Sequence, residues 1–199
     1  MRAAVRITCP GHFCADVDHG RFTAPPEQED PERIRMIVVL ESPPAGPPGA
    51  GSPLHTETTL QAFRSAGAGV ASMSDLSRLG VYLTTAVKCA KTGYGVQRST
   101  VEACSFLLEA EIGLFPRARV VMLMGDTAIA AMNAVARRRT GKRLIPARPT
   151  HRLRGKEYRF DGLRVIPSYL CTGRSYLIET PKREMIAEDL RKGLAVAAR

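Results

Sequence analysis

No apolar run in this chain approaches the roughly 20 residues that cross a bilayer, so a membrane-spanning protein is excluded as the reading. The opening stretch MRAAVRITCPGHFC carries no signal-peptide core, which predicts a cytoplasmic protein. Without an export signal, the five cysteines argue against a disulfide framework. There is no internal repeat, which removes the solenoids and propellers. Acidic residues are scarce: 19 Asp and Glu stand against 29 Lys and Arg, for a net charge of +10.

What remains fits one soluble domain over residues 1–199, with 44% hydrophobic and 24% charged residues; a monomer is expected. The charge is uneven. Between Arg137 and Arg159 lie ten basic residues and one acid, Glu157. Such a patch holds a phosphate backbone by releasing condensed counterions; a solvated basic loop is the other reading. Arg152 and Arg154 are the candidate phosphate contacts within it.

Four segments occur in fixed order: MIVVLESPP from Met36, VYLTTAVKC from Val81, VVMLMGDTA from Val120 and VIPSYL from Val165. Each is a short apolar run ending in turn chemistry or in a polar or reactive residue, the pattern of buried parallel strands. Strands are expected over Met36–Leu40, Val81–Val87, Val120–Met124 and Val165–Ser168. Between them, a helix capped by Thr56 carries Leu60 and Phe63 inward and ends near Gly67. Ser99 and Glu102 form a capping box for a helix to about Ile112, with Val101, Leu108 and Ile112 inward. Gly125-Asp126-Thr127 turns into a helix to about Arg138 with Asp126 as N-cap; it lacks a glycine-rich phosphate loop. Thr180 and Pro181 open the last helix, with Ile186, Leu190 and Leu194 facing the core. Residues 15–33 read as a surface connection, and the proline- and glycine-rich stretch Ser42–Pro53 as a binding loop or a disordered insert. Alternating strands and helices give an α/β fold, three-layer αβα, with a central, mainly parallel four-stranded sheet. Ligands on such sheets sit outside the carboxyl ends of the strands, which puts Glu41, the residues around Lys88, and Tyr169 onward on one rim.

A carboxylate at the tip of a buried strand is poorly placed for packing and well placed for chemistry, so Glu41 is the candidate catalytic residue; an ordinary salt-bridge role is the alternative. Lys88 either contacts phosphate or sits on the surface. Cys9 and Cys14 form one pair and Cys89 and Cys104 another, and four thiolates suit a 4Fe-4S cluster or zinc; unligated cysteines are the other reading.

Taken together, these segments and cysteines resemble the uracil-DNA glycosylase superfamily, closest to its iron–sulfur branch. Leu40-Glu41-Ser42-Pro43-Pro44 looks like a variant of the family's Gly-Glu-Ala-Pro-Gly, whose glutamate helps activate or position the attacking water. Cys9, Cys14, Cys89 and Cys104 fall where the branch holds a structural 4Fe-4S cluster, with zinc as the alternative. Pro167-Ser168-Tyr169 matches the start of Pro-Thr-Tyr-His-Pro-Ser. The chain departs from the family at three points. Thr85 replaces the asparagine that reads the base, and a hydroxyl cannot give the two-point contact of an amide. Leu170 replaces the histidine that stabilises the departing base, leaving Arg174 or Tyr176 to compensate, or Leu170 to act as a wedge in the stack. Leu54 replaces a stacking phenylalanine, with His55 beside it to stack or donate. The resemblance implies a DNA-repair enzyme that hydrolyses the N-glycosidic bond of a base, with DNA as its partner; the replacements at Thr85 and Leu170 point to a substrate other than plain uracil, or to weak activity. Thr85, Leu54, His55, Tyr169 and Leu170 would face the base, and Lys88, Arg152, Arg154 and Arg174 the DNA. The alternative is a non-catalytic DNA-binding or damage-sensing module on the same fold.

Overall fold

A computed structural model describes residues 7–11, 14–23, 30–44 and 52–199. Five strands form the central sheet: β2 (Met36–Leu40), β3 (Val81–Thr85), β5 (Val120–Met124), β6 (Tyr158–Phe160) and β7 (Leu163–Ser168). Their order is β3-β2-β5-β7-β6. The first four are parallel, and β6 pairs antiparallel with β7 at the edge. A separate ribbon joins β1 (Val17–Phe22) to β4 (Cys89–Lys91).

The strands alternate faces with period two. Ile37 and Val39 join Val121, Leu123 and Val165 in one apolar cluster. Met36 and Val38 join Val120, Met122 and Ile166 in the other. Helices α3 (Arg98–Ile112) and α4 (Asp126–Thr140) cover the first face; α1 (Pro53–Ser65) and α7 (Thr180–Ala197) cover the second. Because both faces are buried, the strands read as continuous apolar runs rather than alternating ones. Helix α7 lies close to the sheet because Gly193 has no side chain: a Cβ there would stand 2.9 Å from Cε of Met36. The short helices α2 (Met73–Arg78), α5 (Thr150–Leu153) and α6 (Arg174–Ile178) complete the set. None of the described helices is long and apolar enough to cross a membrane.

The expected architecture stands, with one strand more than the four expected. The extra strand, β6, is joined to β7 through Asp161 and Gly162, both at positive φ (49° and 80°), the two-residue hairpin loop in which Asp-Gly is favoured. Residues 15–33, expected as a bare connection, contain β1. Strand β3 stops at Thr85 instead of Val87: residues 86–88 form a bend, in which the N–H groups of Ala86 and Val87 still reach the carbonyls of Leu40 and Glu41. Helix α1 starts at Pro53, ahead of Thr56. Helix α3 is capped from elsewhere: Asp16 accepts from the Gln97 N–H and the Thr100 hydroxyl, while Glu102 turns outward to Arg98. Gly125, at φ 92°, is the N-cap of α4, and Asp126 is its first residue. Of the proline- and glycine-rich loop, residues 45–51 lie outside the described residues.

Candidate active site

In the order β3-β2-β5, the chain leaves β2 toward one side for β3 and later returns on the other side as β5. The carboxyl ends of β2 and β5 therefore flank a topological switch point, where open α/β sheets bind ligands. Glu41 follows β2 and Gly125-Asp126-Thr127 follows β5. The Thr127 hydroxyl donates to Oε1 of Glu41 at 2.9 Å, bridging the switch point. On the other side, Nζ of Lys91 donates to Oε2 of Glu41 at 2.8 Å and to the Tyr94 carbonyl at 3.0 Å. Both carboxylate oxygens are thus held, and the side chain remains 24% exposed.

Beside it opens a cavity of about 320 Å³ lined by Glu41, Asp126, Thr127, Tyr169, Leu170 and Lys182, among others. That is near the lower end of small-ligand sites, about 300–1,000 Å³. Leu170 packs beside Gly125 on this wall: a Cβ on Gly125 would stand 3.4 Å from that of Leu170, an ordinary contact. Lys182 lies 5.3 Å from the centre of the Tyr169 ring and pairs with Glu179. The ion pair of Glu41 is therefore part of a cleft wall and not remote from one.

The cavity collects Glu41, Tyr169, Leu170 and the buried Tyr176 from the residues expected of a site. His55 stands next to this group: burial and the charge of Lys91 lower its pKa below the ordinary value, against the opposing pull of Glu41. Thr85, Leu54 and Arg174 are not in the cavity lining. Thr85 ends β3 beside Leu40, and its carbonyl accepts from Lys88. Leu54 and Arg174 are exposed at the starts of α1 and α6. Lys91, Thr127 and Lys182 were not foreseen. Thr127 sits in a turn already marked by its Gly-Asp-Thr sequence, but nothing local ties Lys91 to a carboxylate 50 positions away.

Two of the expected phosphate contacts are corrected. Lys88 is 1% exposed and ion-paired to Glu111, which is 2% exposed. It also donates to the Thr84 hydroxyl, while Tyr82 and Thr84 donate to Glu111. Burial pushes the pKa of Lys88 down, and the Glu111 charge opposes this. A buried ammonium needs such a partner set, and it leaves no donor for DNA. Arg154 is 11% exposed and committed to Asp189 and Glu188, at 2.5 and 3.0 Å. Arg137, Arg138 and Arg139 likewise pair with Glu102, Glu109 and Asp161. Arg152 is exposed, and Arg143 and Arg148 line a groove of about 220 Å³ that shares Asp126 with the main cavity.

Cys89 opens β4 and Cys104 lies on α3. The thiol of Cys89 is pushed up to about 11 by burial and then by the nearby Cys104, Cys9, Cys14 and Asp18. Burial also raises Cys104; the Lys88 N–H lowers it, and Cys14 and Cys9 raise it further. The fold therefore brings the four expected cysteines into one neighbourhood. Among the described residues, no three His, Cys, Asp or Glu side chains converge as the ligands of a single ion do. Four thiols are the donor set of a cysteine-ligated cluster. Cys171 stands apart, fully enclosed, its thiol raised to about 12 by burial.

A doubly covered parallel sheet with a carboxylate and a polar cavity at its switch point defines an α/β ligand-binding domain. More narrowly, the chain belongs to the uracil DNA glycosylase superfamily, whose model matches residues 34–191. The Type-5 uracil-DNA glycosylase of Thermus thermophilus is 40% identical to it over 60 residues. That match spans 30% of this chain and 27% of the relative.

Proposed function

We propose that this protein is a DNA glycosylase that hydrolyses the N-glycosidic bond of a modified base, with a substrate other than plain uracil. The observation that carries this reading is Glu41, oriented by Lys91 and Thr127 at the edge of the switch-point cavity. A nucleotide is extruded from the duplex, or captured from a single strand, into this cavity. As the bond to the base breaks, positive charge grows on the sugar, and the fixed carboxylate stabilises it. The same carboxylate orients the water whose oxygen attacks the anomeric carbon. Leu170 cannot donate to the departing base; Tyr176 and Lys182, the latter paired with Glu179, stand on the same wall. His55, beside Lys91 and Glu41, acts at the edge of this group. Supporting this reading are the family membership and the relative named a uracil-DNA glycosylase.

The test is an excision screen with oligonucleotides carrying a panel of modified bases, in single and double strands, scored as alkali-labile abasic sites. Cleavage of one or more modified bases, with plain uracil slow or refused, is expected. Binding to every oligonucleotide with no base released would instead support a damage-sensing module. Full engagement of both Glu41 oxygens suits that second reading as well.

Lys91 acts by holding Glu41. Lys91→Met is expected to lower the maximal excision rate roughly tenfold, which is about 1.4 kcal/mol, with KM little changed. Lys91→Arg keeps the charge and should recover most of the loss; a KM effect alone would deny Lys91 this positioning role.

DNA is gripped beside the site by Arg143, Arg148 and Arg152. Replacing Arg148 and Arg152 together by Ser should weaken binding about equally for all sequences. The slope of log affinity against log salt should fall by about 2, one for each lost phosphate contact. An unchanged slope in titrations monitored by fluorescence anisotropy would move the DNA elsewhere.

Cys9, Cys14, Cys89 and Cys104 hold a 4Fe-4S cluster that ties the N-terminal segment to β4. When bound, the cluster supplies a structural crosslink. Anaerobic purification should give brown protein with broad visible absorbance, and elemental analysis showing zinc would replace that assignment.

A further inference from the structure

A cavity larger than the one at the site lies elsewhere among the described residues. A groove of about 690 Å³ opens against the starts of β5 and β7, lined by Arg119, Lys156, Arg159, Arg164, Lys192 and Arg199 with only two acids, Glu157 and Asp189. Both acids are already engaged, Glu157 by Arg164 and Asp189 by Arg154. Arg119, Lys156 and Arg159 are exposed, and no ion pair joins them to a carboxylate among the described residues. Arg119 precedes β5, whereas Met124 at the other end of that strand lines the proposed active site. A five-residue strand separates the two by about 16 Å. A straight duplex laid over the carboxyl ends of the strands therefore cannot also fill this groove.

We infer that this groove holds the phosphate backbone of a second duplex segment while the first occupies the active-site rim. The inference rests on the DNA-directed reading above. The groove lacks what a protein partner requires: its apolar lining is Ala118, Ile166, Ala195 and Val196, with no aromatic anchor. Two guanidinium forks and an ammonium, unneutralised, suit phosphate oxygens. Having two basic faces at opposite ends of one sheet lets the protein pass from one DNA segment to another without entering free solution.

The experiment measures dissociation of a fluorescent, unmodified duplex of about 20 base pairs in the presence of rising unlabelled duplex. For the wild-type chain, the dissociation rate should climb several-fold in proportion to competitor. For Arg119→Ser/Lys156→Ser/Arg159→Ser, it should stay flat, and the salt slope of binding a second duplex should fall by about 2 to 3. Excision of the preferred base from a short oligonucleotide should be equal in both. A rate independent of competitor in the wild-type protein overturns the inference, as does a triple variant that behaves like it. Polyglutamate that binds the wild type and not the variant, with duplex transfer unchanged, overturns it too and gives the face to an acidic protein. These measurements use unmodified DNA, so a failed excision panel sinks the glycosylase reading without deciding this one.

Discussion

Glu41→Ala is expected to reduce excision by about 10²- to 10⁴-fold, the range for losing a group that stabilises or protonates in the transition state, while DNA affinity changes little. The argument is geometric. The carboxylate stands where β2 ends at the switch point, and Lys91 and Thr127 fix both oxygens at 2.8 and 2.9 Å. An orientation fixed in advance costs nothing at the moment charge develops on the sugar. Glu41→Gln separates charge from shape. It keeps the hydrogen bond from Thr127 and loses the electrostatic attraction, so it should fall with Ala and not with the wild type. Single-turnover rates for the three proteins on the preferred oligonucleotide decide the matter. Equal rates in wild type and Glu41→Ala would remove this residue from the mechanism and leave a DNA-binding module.

The second large effect is on stability. Lys88→Met leaves Glu111 buried without its cation, and breaking a buried pair from one side costs about 3–5 kcal/mol. In a chain of this size, that lowers Tm by roughly 10 °C. Glu111→Gln should be similarly damaging, because it strands the ammonium. Lys88→Met combined with Glu111→Gln removes both charges; the glutamine carbonyl accepts from one of the two hydroxyls of Tyr82 and Thr84, which in the wild type bond different Glu111 oxygens, and its amide donates to the oxygen of the other. The double variant should therefore lie within about 1–2 kcal/mol of the wild type. Urea unfolding of the four proteins gives the coupling directly. Single variants no worse than the double would mean that Lys88 is solvated and free to reach DNA. The salt slope of DNA binding should be the same in Lys88→Met as in the wild type, a readout that a phosphate contact would move.

The contrast between Glu41 and Lys88 shows where the sequence was legible. Both follow an apolar strand and both were placed on the rim. Glu41 stands directly at the end of β2, so its position follows from where the strand stops. Lys88 comes three residues after Thr85, in a bend over residues 86–88. That bend turns the side chain inward to Glu111, and it is a long-range event. The basic stretch misled for the same reason. Charge along the chain gave ten cations, but the partners of Arg137, Arg138, Arg139 and Arg154 come from α3, the β6–β7 loop and α7. What survives is two smaller patches, one beside the site and one at the far end of the sheet.

The order of apolar runs, the helices between them and the carboxylate at the end of β2 were fixed by local pattern, since period and turn chemistry act over a few residues. Strand β1 and the edge strand β6 escaped because a short, half-exposed strand has little apolar pattern to show, although Asp161-Gly162 marked the β6–β7 turn, and β4 escaped because three residues are too few to show a period. Only the tertiary structure decided that Lys91 and Thr127 clamp Glu41, that Asp16 caps α3, and that four cysteines share a neighbourhood. Each of these joins residues far apart in the chain, and which side chains meet across such distances is set by how the layers pack, not by the residues around each one.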